Sequence, residues 1–162
     1  MIKTTLCYII KDNKYLMLYR DKNKEDPNYL KWLGLGGKCH EYESTDACML
    51  REVKEETGLT ITQYSYRGIV HFKSNHYPDE TMHVYTATDY KGTLHQCNEG
   101  TLKWIDKTRV LSLPMWEGDQ YFLTLLEKDT PFFTLTLIYQ EDALVEKSLI
   151  LNDMSQKNSN KG

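Results

Sequence analysis

The stretch GKCHEYESTDACMLREVKEETGL, residues Gly37 to Leu59, carries the most structural information in the chain. Its second half predicts a helix over 44–57. Ser44 suits the N-cap, where a hydroxyl accepts from a free amide of the first turn. Asp46 suits the positive helix start, and Gly58 the left-handed stop. At about 100° per residue, Glu55, Glu52 and Glu56 share an arc of about 100°. Met49, Leu50, Val53 and Thr57 share a second arc of about the same width. The helix therefore has an apolar face for a core and an acidic stripe beside it. Like charges three and four positions apart repel, and Arg51 and Lys54 lie mostly off the centre of the stripe. Two readings follow: a solvated acidic face, or a site for a hard divalent cation, Mg²⁺ or Mn²⁺, held by oxygen ligands alone. The helix by itself leaves both open.

The flanks are rich in strands. Ile2–Ile10 and Tyr15–Arg20 are apolar and β-branched around Asp12-Asn13-Lys14, which predicts a hairpin. Asp21–Lys31 reads as a charged loop, and Trp32–Gly37 as a glycine-dense segment that brings backbone close to something. Further on, 61–72, 81–90 and 102–105 read as strands. Residues 115–128 read as a second helix after Pro114, and 132–139 and 143–151 as a closing hairpin. The order predicts one mixed α/β domain over residues 1–151, with helices packed against a sheet. Residues 152–162 are polar and aperiodic, and a disordered tail is expected there.

Composition narrows the class. The 162 residues suffice for one domain with a sizeable core, and a net charge of -3 argues against bulk binding to a nucleic-acid polymer. A free nucleotide remains compatible, since metal ions neutralise phosphates. Twelve tyrosines suit either a half-buried sheet or a cleft that stacks a planar ligand. Residues 1–20 contain no signal peptide, and no run reaches a membrane span, so cytoplasmic residence without membrane association is expected. Cys7, Cys39, Cys48 and Cys97 form no C-x-x-C pair and read as packing residues, neither zinc ligands nor disulfides.

Gly37, Glu43, Arg51, Glu52, Val53, Glu55, Glu56, Gly58 and Leu59 fill every fixed position of G-x5-E-x7-R-E-U-x-E-E-x-G-U, where U is a bulky aliphatic. The segment thus resembles the Nudix box of the Nudix hydrolases. Outside it, Leu16–Arg20, Lys31-Trp32, Gly36-Gly37-Lys38, Asn98–Leu102, Trp116–Asp119 and Pro131–Phe133 are similar to the MutT/MutX-like 8-oxo-dGTP diphosphatases over most of the chain.

The resemblance implies a Nudix-type α/β/α sandwich with a mixed sheet. It implies metal ligation by Glu52, Glu55 and Glu56 with the Gly37 carbonyl, while Glu43 and Arg51 hold the loop and orient the glutamates. Glu99 matches a loop glutamate that binds metal or activates water. Arg20 matches a phosphate-contacting base, and Lys38 falls in the same substrate-binding set. Trp116 and Asp119 match residues that stack on and hydrogen-bond a purine, with Phe72 placed to pack under the base. The implied reaction is hydrolysis of a purine nucleoside triphosphate, foremost 8-oxo-dGTP, to the monophosphate and pyrophosphate, a step in sanitising the nucleotide pool for DNA repair. The implied partner is a small nucleotide, and the enzyme a monomer or homodimer. Alternatives keep the chemistry on ADP-ribose, a dinucleotide or a capped RNA end, or make the chain a non-catalytic nucleotide sensor, against which the intact box speaks. In one respect the chain departs from the mammalian relatives: Leu33 stands where they carry a base-contacting Asn. Base recognition must therefore use other groups.

Overall fold

The computed structural model of the chain describes residues 2–152. Strand β1 (Ile2–Lys11) feeds two cores at once. Leu6 and Tyr8 enter one cluster, and Cys7 and Ile9 enter the other. An unbroken apolar run of this kind belongs inside a sheet covered on both faces. β1 accordingly pairs antiparallel with β2 (Lys14–Tyr19) and parallel with β5 (Glu80–Lys91). Asp12 and Asn13, at φ 54 and 63, make the tight turn of the first hairpin.

The sheet runs β3 (Trp32–Leu33), β2, β1, β5, β4 (Thr60–Ser74), β7 (Phe132–Gln140), β8 (Ala143–Asn152), and β6 (Thr101–Asp106) also pairs with β2. β4 and β7 are parallel. Helix α1 (Thr45–Thr57) covers one face, burying Cys48, Met49 and Val53. Helix α2 (Glu117–Glu127) covers the other with Phe122, Leu123 and Leu126. The result is the expected α/β/α sandwich around a mixed sheet.

The caps of α1 follow its sequence. Ser44 Oγ accepts from the Ala47 amide at 3.1 Å, and Gly58, at φ 80, returns its N–H to the Lys54 carbonyl. Three expectations change. Trp116 is the N-cap of α2, so that helix begins two residues later than its pattern suggests. Asn152 belongs to β8; the remainder of the expected tail, residues 153–162, lies outside the described residues. Cys39 and Cys48 are joined as a disulfide, where packing roles were expected. The loop before α1 doubles back at Tyr42 (φ 67), setting the two Cα atoms 5.2 Å apart, within the normal span of such a bridge. Cys7 and Cys97 are buried free thiols. Among the described residues, no helix is long and apolar enough to cross a membrane.

Candidate active site

The glycine-dense segment lies along β1 as backbone against backbone. Leu35 and Cys7 exchange amide hydrogen bonds, and the Thr5 amide donates to the Gly37 carbonyl at 3.0 Å. A Cβ at Gly36 would sit 1.9 Å from the Thr5 carbonyl oxygen, so only glycine fits there. A Cβ at Gly37 would fall 2.6 Å from Glu52 Oε2. The missing side chain is what lets the Glu52 carboxylate close on this edge. Beside the Thr5 amide, the Gly37 carbonyl meets only the Cys48 sulfur, at 3.9 Å, among the described residues.

The three helix glutamates take different environments. Glu56 is 6% exposed. Its Oε1 accepts from the Gly36 amide at 2.7 Å, while its Oε2 is buried with no partner. Burial pushes its carboxyl up to about 9, and the negative charges of Glu99 and Glu52 add to the shift. Burial also raises Glu52, against the lowering effect of Arg51. Glu55 points outward, its side chain 59% exposed.

Arg51 organises the set. Its Nε and Nη2 grip Glu43 at 2.8 and 2.9 Å, Nη2 also donates to the Lys38 carbonyl, and Nη1 reaches Glu52 at 2.9 Å and Glu55 at 3.2 Å. The Arg51 bond and a second from the His40 amide hold the Glu43 carboxyl down at about 2. Glu43 is thereby fixed as an anion that anchors the guanidinium. The oxygens of Glu52, Glu55 and Glu56 do not all approach within 4.8 Å of one another. Arg51 draws two of them outward and the Gly36 amide draws the third in. An all-oxygen donor set with one orphaned buried oxygen fits a hard cation, which would satisfy Glu56 Oε2 and offset the mutual repulsion.

Glu52 and Gly37 line a cavity of about 540 Å³, together with Arg20, Lys38 and Glu99. Arg20 donates to Asp26 at 2.8 Å and faces Glu99 at 3.4 Å. Trp116, Phe72 and Asp119 line the same cavity. Trp116 is 8% exposed; its ring meets Phe72, Tyr77 and Tyr139 edge-on, and the Lys31 ammonium lies 4.4 Å from its centroid. Asp119 is 7% exposed. Burial pushes its carboxyl up to about 8, helped by the charge of Glu80. Leu33 adds only apolar surface to the wall. The structure thus brings Arg20, Lys38, Glu52, Gly37, Glu99, Phe72, Trp116 and Asp119 to one cavity, while Glu55, Glu56 and Arg51 stand outside its lining.

A NUDIX domain model matches residues 2–126. The chain belongs to the Nudix hydrolase family. Its relatives include the Nudix hydrolase YvcI of Bacillus subtilis, 30% identical over 85% of this chain and 86% of the relative. An oxidized purine nucleoside triphosphate hydrolase of Danio rerio is 28% identical over 74% of this chain and 77% of the relative. Among solved structures, a MutT protein from Bacillus halodurans superposes with a TM-score of 0.81 at 27% identity, covering 92% of this chain and 97% of that one. This Nudix hydrolase is therefore of the MutT type.

Two cavity residues of the enzyme escaped sequence reasoning. Asn28 sits in the loop between β2 and β3, and its Oδ1 accepts from Trp116 Nε1 at 2.7 Å. The indole only donates, so the Asn28 amide nitrogen is the end left over. Glu80 opens β5 and accepts from Thr4 Oγ1 at 2.7 Å. A buried Trp needs an acceptor for its N–H, which was the one available hint that an amide or acid from elsewhere would be found beside it.

Proposed function

We propose that this Nudix hydrolase cleaves the pyrophosphate linkage of a purine nucleoside triphosphate, with 8-oxo-dGTP the foremost substrate, to the monophosphate and pyrophosphate. One observation carries this reading: a single cavity holds an acidic, glycine-edged group (Gly37, Glu52, Glu99) and an aromatic group with a buried carboxyl (Trp116, Phe72, Asp119). The first suits a polyphosphate and the second a base. The relative named for oxidized purine nucleoside triphosphates supports the substrate class.

Glu52, Glu55 and Glu56, with the Gly37 carbonyl, would hold Mg²⁺ or Mn²⁺. Such a cation supplies charge neutralisation at the diphosphate and acidifies a bound water. Arg51 keeps Glu52 and Glu55 oriented through its grip on Glu43. Glu99, at the cavity wall beside Arg20, takes the proton of the attacking water on its carboxylate. Arg20 and Lys38 present cations to the phosphate oxygens. Asp119, protonated at neutral pH, donates its O–H to the base edge. Initial rates on 8-oxo-dGTP, dGTP, the other nucleoside triphosphates and ADP-ribose, with products resolved by chromatography, test the reading. A purine triphosphate should lead and yield pyrophosphate; ADP-ribose leading by ten-fold would overturn it.

A further inference from the structure

The base group of the cavity contains a second carboxyl whose placement is set by the sheet. β1 and β5 pair in parallel, with Thr4 beside Met82 and Ile2 beside Glu80. On the other side Glu80 lies opposite Phe72 of β4. Residues 80, 82 and 84 of a strand share one face; Met82 packs against, and Val84 belongs to, the cluster that α2 covers, so Glu80 is on the face of α2 and Asp119. Thr4, 7% exposed, donates to Glu80 Oε2 and fixes that carboxylate within the cavity wall. Glu80 Oε1 carries no hydrogen bond among the described residues, and neither does the Asp119 carboxyl. Glu80 and Asp119 line the same cavity, and the charge of Glu80 adds to the upward shift at Asp119.

We propose that Glu80 is a specificity-determining residue, accepting from an exocyclic amino group on the base while Asp119 engages the neighbouring ring edge. This rests on the base-binding role given to the cavity above. The favoured class is a 2-amino-6-oxopurine nucleotide. Protonated Asp119 offers one donor and one acceptor, which match the 6-oxo group and the adjacent ring N–H. Glu80 Oε1 offers an acceptor for the 2-amino group beside them. A purine without that amino group leaves Glu80 Oε1 desolvated and unpaired, and an unmade bond to a charged acceptor is costly. The Leu33 side chain, in the lining of the same cavity, has no polar atom that could take over the task.

The test compares dGTP with dITP, which differ only by the 2-amino group, in the wild type, Glu80→Leu and Glu80→Gln. The wild type should prefer dGTP by roughly ten-fold or more in kcat/KM, the discrimination that one bond to a charged acceptor gives. Glu80→Leu keeps the side-chain bulk without the acceptor, and should cut dGTP at least about five-fold more than dITP. Glu80→Gln retains a neutral acceptor and should fall between, which keeps the test open if the Leu variant does not fold. A common loss on both nucleotides in the variants, or a wild type indifferent to the amino group, overturns the role of Glu80. A wild type that turns over no nucleoside triphosphate overturns the reading of the cavity itself, a distinct result.

Discussion

Glu56→Gln in the metal-free enzyme isolates one buried carboxyl. Folded Glu56 binds its proton more tightly than the unfolded chain does, with the value raised from 4.5 to about 9. Between those limits folding takes up a proton, so the group lowers stability progressively as pH rises, and does nothing below about pH 4.5. At pH 7 the cost is about 1.36 × (7 − 4.5), roughly 3 kcal/mol; at pH 8.5 it is roughly 5 kcal/mol, and at pH 5 under about 1 kcal/mol. Gln keeps a carbonyl for the Gly36 amide, and its NH₂ stands where the protonated Oε2 stood, so packing changes little. The variant should therefore be more stable than the wild type in EDTA, by a margin that grows across this range. Denaturant unfolding at the three pH values measures it. With Mg²⁺ present the same variant should lose at least ~100-fold in turnover, since even outer-shell partners of metal ligands are worth up to that. Parallel stability–pH curves for the two proteins would refute the burial argument, because burial of this carboxyl is the main cause of the slope difference.

Excess EDTA should abolish turnover, and Mg²⁺ at about 100 times its Kd should stabilise the fold by about 2.7 kcal/mol, read as a rise in Tm; an unchanged Tm would count against a prearranged metal site. Gly37→Ala places a Cβ 2.6 Å from Glu52 Oε2, and should weaken Mg²⁺ binding in a calorimetric titration while costing the fold about 1–3 kcal/mol. Wild-type affinity in that variant would show that Glu52 does not need the glycine edge. Reducing the Cys39–Cys48 bridge, which closes a loop with a sequence separation of 9, should lower stability by roughly 2.5 kcal/mol, and a Cys39→Ser/Cys48→Ser double variant should not respond to reductant.

Helix α1 was legible because its signals are local: Ser44, Asp46 and Gly58 mark the ends, and the apolar period marks the buried face. The first hairpin was legible for the same reason. β3 was not, since a two-residue strand has no period and exists only because β2 offers Leu18 and Tyr19 as partners. The parallel pairings of β1 with β5 and of β4 with β7 join segments distant in sequence, and no local pattern encodes them. The box singled out Glu52, Glu55 and Glu56, although the outward turn of Glu55 and the inward turn of Glu56 depend on Arg51 and the Gly36 amide. Asn28 and Glu80 were invisible because each is held by a partner far along the chain, Trp116 and Thr4. The disulfide was missed because compartment and C-x-x-C spacing were the criteria, and neither sees a loop that folds back onto a helix start.

Adjacent residues of β1 serve the two groups of the cavity: the side chain of Thr4 holds Glu80, and the amide of Thr5 holds the Gly37 carbonyl. Successive residues of a strand are about 3.3 Å apart, with no loop or hinge between them. On the proposed reading of the cavity, the offset between base and polyphosphate is thus written into a single rigid strand. On the same reading, descendants of this scaffold can change the base they accept by drift at Glu80, Asp119, Asn28 and Leu33, each on a different element. At Thr4 and Thr5 the same freedom is lacking, because a shift there moves recognition and chemistry together.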